Sequence, residues 1–194
     1  SYLSLSDLKA YSLASKQSRA YALEHLIFHT RGDDESVQNS LTAGARKLSL
    51  DLKCVDILTM DSVVLDKIVK LKTRTFAQRC MQVLKNLQVL NVDNCRLSEL
   101  PDLPPRLQTL QVSGNRLVTL PLLPPTLVIL YCSSNQLVTL PPLPGTLQAL
   151  DCNNNALVTL PPLPPRMHKL YCHNNVLNVL PALPPALQIM DCWN

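Results

Sequence analysis

From Leu87 onward the apolar positions recur at a fixed interval of 20 residues, so the columns can be read straight down the chain. One column is Leu87, Leu107, Leu127, Leu147, Met167 and Leu187. Three residues further on comes Leu90, Leu110, Leu130, Leu150, Leu170 and Met190, and two beyond that Val92, Val112, Cys132, Cys152, Cys172 and Cys192. Around the second of these columns apolar and variable positions alternate, which predicts one short strand per unit. A unit of this length cannot bury its apolar edge alone, so successive units must stack with their strands about 4.8 Å apart.

The rest of each unit has its own pattern. Asn115, Asn135, Asn155 and Asn175 share a phase, with Cys95 standing at the same place in the first repeat. A carboxamide where the chain leaves the strand can satisfy turn backbone groups and form a ladder along the stack. The columns Leu97, Leu117, Leu137, Leu157, Leu177 and Leu100, Leu120, Leu140, Leu160, Leu180 follow. Next comes Leu-Pro-x-Leu-Pro-Pro, as at Leu100-Pro101-Asp102-Leu103-Pro104-Pro105, where missing N–H donors and fixed φ exclude a helix and favour polyproline II. The expected architecture is an α/β repeat solenoid. It has a parallel sheet on the concave side, an extended polyproline-like convex side, no helix beyond residue 100, and a shallow twisted arc.

These residues match the pattern L-x-x-L-x-L-x-x-N-x-L, and the segment 87–194 resembles the LPX-type leucine-rich repeats of bacterial effectors of the YopM and IpaH kind. In the IpaH family the repeats precede a separate cysteine-dependent ubiquitin ligase domain, and no such domain is expected within residues 1–194. The last repeat, with Met190, Cys192 and Trp193, is expected to leave an open edge that further chain or a partner would cover.

Ahead of the repeats the pattern changes. A helix is expected from about Asp7 to Phe28, capped by Ser4 or Ser6 and ended by Gly32 and the acidic run Asp33-Asp34-Glu35. Leu48-Ser49-Leu50-Asp51-Leu52 alternates as a strand does and predicts an irregular leading rung. Two more helices are expected near Asp61–Lys72 and Phe76–Lys85. The domain division is therefore 1–46 helical module, 47–86 irregular leading repeat with helices, and 87–194 regular repeats. Within the first, Tyr2, Leu3, Asp7, Leu8, Ser12, Leu13 and Lys16 resemble the second half of an F-box, while Ala14, Ser15 and Ser18 depart from its Val-Cys and Trp positions. The resemblance implies an adaptor surface for Skp1 at Leu3, Leu5, Leu8, Leu13 and Lys16, and a substrate receptor of an SCF-type ubiquitin ligase or a bacterial mimic of one. The other readings are a helical cap over the first rung, the recognition region of an effector ligase whose catalytic domain lies elsewhere, and a purely structural repeat protein.

Charge and proline sharpen this division. Every proline lies between Pro101 and Pro185. Lys and Arg exceed Asp and Glu by 13 to 9 over residues 1–86 and balance at 5 each over 87–194, and the interspersed excess is ordinary surface rather than a nucleic-acid stripe. No run reaches the ~20 apolar residues of a membrane span, and the chain is expected to be cytoplasmic, in the host cytoplasm if it is a secreted effector. Seven cysteines without paired spacings suggest reduced thiols. The column Cys132, Cys152, Cys172, Cys192 is expected to pack as small apolar groups, because a straight row of inward thiols cannot surround a metal and fits disulfide geometry poorly. His25, His29, His168 and His173 have no Ser-Asp or Cys partner at a motif spacing, and the scattered glycines make no phosphate loop. No enzyme activity, cofactor or metal is expected.

What remains is binding. Strand positions that alternate with the buried columns form three stripes: Val89, Thr109, Ile129, Ala149, Lys169, Ile189; Asn91, Gln111, Tyr131, Asp151, Tyr171, Asp191; and Asp93, Ser113, Ser133, Asn153, His173, Trp193. Aromatics gather toward the C-terminal rungs. The candidate partner-binding residues are Tyr131, Asp151, Asn153, Lys169, Tyr171, His173 and Trp193, for a protein partner on the concave face.

Overall fold

From β5 onward each repeat turns into its strand at a proline, while the first makes the same turn at Leu84. In the computed structural model the Leu107 N–H donates to the Pro104 carbonyl at 3.1 Å, with equivalent turns at Leu127, Leu147, Met167 and Leu187. The second proline of the pair, as at Pro105, occupies the turn position that its fixed φ suits. The structure describes residues 84–193 together with the strands Ile27–Thr30, Lys47–Leu52 and Ile68–Thr73.

These three are β1, β2 and β3. Six three-residue strands follow: β4 Val89–Asn91, β5 Thr109–Gln111, β6 Ile129–Tyr131, β7 Ala149–Asp151, β8 Lys169–Tyr171 and β9 Ile189–Asp191. They form one sheet in chain order, β1 to β9, with every neighbouring pair parallel. From β4 onward the register never slips: Leu90, Leu110, Leu130, Leu150, Leu170 and Met190 stand side by side. Among the described residues there is no helix, and so none long and apolar enough to cross a membrane.

The core is the stack of leucine columns. Leu87, Leu90, Val92, Leu107, Leu110, Val112, Leu127, Leu130, Cys132, Leu147, Leu150, Cys152, Met167, Leu170 and Cys172 are all fully buried. Each such aliphatic side chain contributes roughly 1.5–3 kcal/mol relative to exposure. The convex leucines of the proline segments, among them Leu103, Leu123, Leu143 and Leu163, pack against it from outside. At the far end the seal weakens, since Met190 in the leucine column is 40% exposed and β9 has a strand on one side only among the described residues.

The asparagine ladder holds the turns after the strands. Asn155 Oδ1 accepts the Leu137 N–H of the preceding rung at 3.0 Å, while its Nδ2 donates to the Cys132 and Cys152 carbonyls at 3.1 and 3.0 Å. Asn115, Asn135 and Asn175 repeat the arrangement. The residue before each of these asparagines, namely Gly114, Ser134, Asn154 and Asn174, has positive φ, as does Asn94 before Cys95 in the first repeat, and this left-handed step swings the chain out of the strand.

Two expectations are corrected here. β1 occupies Ile27 and Phe28, the end of the helix expected at Asp7–Phe28, and β3 occupies Ile68–Lys72, the end of the helix expected at Asp61–Lys72. Ile68-Val69-Lys70-Leu71-Lys72-Thr73 alternates with period two and is rich in β-branched residues, which favours a strand, and Leu71 pairs with Leu90. The sheet therefore begins well before residue 87. The uneven spacing of the paired residues Leu50, Leu71 and Leu90, with a register shift between Leu48 and Ser49, hides these rungs from a strict 20-residue interval. The alternating segment at Leu48–Leu52 lies within β2. The expected adaptor residues Leu3, Leu5, Leu8, Leu13 and Lys16, and the expected helix near Phe76–Lys85 up to residue 83, lie outside the described residues.

Candidate binding surface

The pleat that buries the leucine column turns its neighbours to the opposite sheet face, so the three stripes read from the sequence are rows in space. Val89, Thr109, Ile129, Ala149, Lys169 and Ile189 are consecutive partners, and so are Asn91, Gln111, Tyr131, Asp151, Tyr171 and Asp191. Neighbouring members are one strand spacing apart, about 4.8 Å.

Along this face the N-terminal rungs satisfy one another. Asn91 Nδ2 donates to Gln111 Oε1, the Ser113 N–H donates to Asp93 Oδ1 at 2.7 Å, and Ser133 Oγ lies 3.0 Å from Ser113 Oγ. From Tyr131 onward the pattern is different. Asp151 Oδ1 accepts the Asn153 N–H at 3.2 Å, and neither Asp151 nor Lys169 has an ion-pair partner among the described residues. Tyr131 and Tyr171, on either side of Asp151, are half-buried, Lys169 is exposed, and Trp193 is 72% exposed. The Asn153 carboxamide oxygen is engaged by Asn154, which in turn accepts from Asn174, so Asn153 belongs to a polar chain along the rim.

His173 is the junction of the site. Its ring stacks on Trp193 with centroids 6.1 Å apart, and its Nδ1 lies 3.2 Å from Asp191 Oδ2. That approach does not have hydrogen-bond angles, so Nδ1 is buried without a hydrogen-bond partner, and Asp191 Oδ1, the other carboxylate oxygen, is buried without one as well. The sequence placed Asp191 in the central stripe without giving it a role. The structure joins it to Asp151, Tyr171, His173 and Trp193, a diagonal contact that depends on side-chain direction and has no trace in the repeat spacing. Burial pushes the Asp151 carboxyl above the usual carboxylate range; the Asn153 N–H and His173 pull it back, and Asp191 raises it further.

The cysteine column lies on the other, buried side of the sheet. Cys132 and Cys152 are buried free thiols, as expected of small apolar packing groups. Burial pushes the Cys152 thiol up to about 12 and Cys132 well above its ordinary value, which leaves almost no thiolate and so no nucleophile at neutral pH. The last pair corrects the expectation of reduced thiols throughout: Cys172 and Cys192 form a disulfide. In-register parallel strands bring their Cα atoms to 4.6 Å, inside the range that a disulfide spans. Among the described residues no cluster of three or more His, Cys, Asp or Glu is arranged to hold a metal ion.

Residues 86–105 match the family model described as Leucine Rich Repeat. No curated protein matches the chain. Among solved structures, YopM from Yersinia enterocolitica WA-314 is similar with a TM-score of 0.64 and 26% identity, over 77% of this chain and 33% of that one. A Shigella effector LRR domain is similar with a TM-score of 0.53 and 41% identity, over 53% of this chain and 47% of that one. The chain thus spans a third to just under half of the length of these structures. Its described residues have the leucine-rich-repeat fold, with a likeness to repeat domains of bacterial effectors.

Proposed function

We propose that this chain is a protein-recognition scaffold that binds a partner on the open, expectedly concave, sheet face and carries no catalytic residues of its own. One observation supports this above the rest. The rungs before Tyr131 close their polar groups on each other, whereas Tyr131, Asp151, Tyr171 and Trp193 present rings and a carboxylate that the chain does not use up. Tyrosine and tryptophan give large contact area at little loss of side-chain freedom, which is why such residues anchor interfaces. Lys169 and His173 flank Tyr171 and set the borders of the patch, with Asn153 on its rim.

Within that reading the chain acts as the substrate receptor of a ubiquitin ligase or as an effector mimic of one, in the host cytoplasm if secreted. The support is the F-box-like run Tyr2 to Lys16 and the likeness to effector repeat domains. The alternative within the same pathway is the recognition region of an effector ligase, supported by the likeness to the Shigella effector domain.

The test is partner capture followed by mapping. Tyr131→Ala and Tyr171→Ala are each expected to weaken the captured complex by at least about 1 kcal/mol with little change in melting temperature. Full binding by the double variant, together with loss on changing exposed convex residues such as Leu122 and Val138, would move the interface to the other side. Co-purification with Skp1 that is lost on Leu8→Asp would carry the receptor reading, because a charge buried in an apolar contact is strongly disfavoured. Retention of Skp1 by that variant, or its absence from the wild-type complex, would remove it.

A further inference from the structure

Positive and negative side chains cancel over residues 87–194, but not place by place. The sheet face carries Asp93, Asp151 and Asp191 against Lys169 alone, while the turns and proline segments carry Arg96, Arg106, Arg116 and Arg166 against Glu99 and Asp102. One of those arginines, Arg106, is already engaged across a rung, donating to Asn86 Oδ1 at 2.9 Å. From β4 onward the open face is therefore acidic and its surroundings basic, whereas at the N-terminal end β3 sets Lys70 and Lys72 in the same rows as Val89 and Asn91.

On the face, acidity and aromaticity coincide. Tyr131, Asp151, Tyr171 and Asp191 are consecutive partners on four strands, and Trp193 lies two residues beyond Asp191. Asp93, at the other end, has the Ser113 N–H at 2.7 Å. Asp151 has one backbone N–H and no ion-pair partner among the described residues, with the His173 ring of the next rung as its nearest cationic influence, and Asp191 faces the His173 imidazole with its Oδ1 lacking any hydrogen-bond donor.

We infer that this stripe docks a cationic segment of the partner protein, an arginine seated against Asp151 between Tyr131 and Tyr171 and a second cation directed at Asp191. The inference rests on the sheet-face reading proposed above and adds the chemistry of the partner. A guanidinium is planar, so it can lie along a tyrosine ring while its edge donates two N–H groups to a carboxylate. The two aspartates are two rungs apart, about 10 Å. Residues three apart on a polyproline II segment rise about 9 Å and project from the same side, so Arg-x-x-Arg matches the stripe. Lys169, exposed in the adjoining row, repels a cation on that flank and so confines it to the central row.

The single tryptophan supplies the readout, because Trp193 stacks on His173 beside Asp191. The full chain is titrated with an acetylated Arg-Pro-Pro-Arg-Pro-Pro peptide, and with its Glu-for-Arg and Ala-for-Arg counterparts, while Trp193 fluorescence is followed. The arginine peptide is expected to change the emission saturably and to lose its effect at high salt, and neither counterpart should bind. Asp151→Asn and Asp191→Asn keep shape and acceptor while removing charge, and each should weaken binding on the order of tenfold with an unchanged circular dichroism spectrum. Equal response to all three peptides, no response to the arginine peptide, or full binding by the folded double asparagine variant overturns the inference. A natural partner lost with Tyr131→Ala/Tyr171→Ala but kept by the asparagine variants would leave the sheet-face reading standing and remove only the cation. A partner kept by both sets would remove the sheet-face reading itself.

Discussion

Asp151 stands at the point where binding and stability pull in opposite directions. Its carboxyl is raised by burial above the ordinary value of 3.8, so the folded chain holds that proton more tightly than the unfolded chain does. As pH climbs through the window between the ordinary value and the raised folded value, the folded state loses the stability that the bound proton contributed. At neutral pH the ionised carboxylate then weighs against folding. Asp151→Asn removes the charge yet keeps an oxygen for the Asn153 N–H, so it should melt higher than the wild type at pH 7, with the gap closing as pH falls below 3.8. Thermal melts across that range check this, and a variant less stable at pH 7 would show that the charge is better compensated than its surroundings imply. Such a gain at the expense of binding is the usual trade at a functional position. The tyrosines and Asp151 were legible from spacing alone, since period two fixes the face on which a strand residue lies. Asp191 was not, because its contact with His173 depends on rotamers.

At the scale of the element, phase decides cost. Leu150 lies in the column that faces inward and is fully buried, while Thr119 lies one residue before a buried leucine on the outer turn and is exposed. Leu150→Ala should destabilise by about 2–5 kcal/mol through lost transfer energy and the cavity left behind, whereas Thr119→Ala should stay within about 0.5 kcal/mol. Urea unfolding of both variants measures the difference, and equal midpoints would mean that the strand is phased wrongly. The regular strands, the asparagine ladder and the absence of helix around the prolines could be read from the sequence because each column repeats one physical job six or so times. β1 and β3 could not. In β3 the alternation is short, the spacing of its partners is uneven, and a helical period fits Ile68 and Leu71 as well as a strand does. Tertiary pairing with β4 decides the matter in favour of strand. The Cys172–Cys192 bond was missed because the side chains of a straight column were taken to run parallel and so not to meet, although in-register neighbours 4.6 Å apart lie within the range that a disulfide spans.

Across the whole molecule the solenoid is close to one-dimensional, with each rung touching only its neighbours, so protection should be graded along it rather than uniform. Interior rungs are held from both sides; β9 is held from one side among the described residues, and its column residue Met190 is partly exposed. Beyond hydrogen bonds and the contacts of His173 with Trp193 and Asp191, β9 is tied to β8 by the disulfide, which closes a loop of sequence separation 20. On the loop-entropy model such a link contributes about 3 kcal/mol, on the order of a hundredfold in a local opening equilibrium. Three equivalent amides report this directly: Cys132 N–H donates to the Asp151 carbonyl at 2.8 Å, Cys152 N–H to Tyr171 at 2.9 Å and Cys172 N–H to Asp191 at 2.7 Å. Their distances are alike, so any difference in hydrogen exchange reflects how firmly the next rung is docked. In Cys192→Ser, or on adding a dithiol reductant, the Cys172 amide should exchange far faster while the Cys132 and Cys152 amides barely change. If all three accelerate together, the stack unfolds as one unit and the graded picture is wrong; if none does, the disulfide is not what keeps the last rung, and with it Asp191 and Trp193, in place on the binding face.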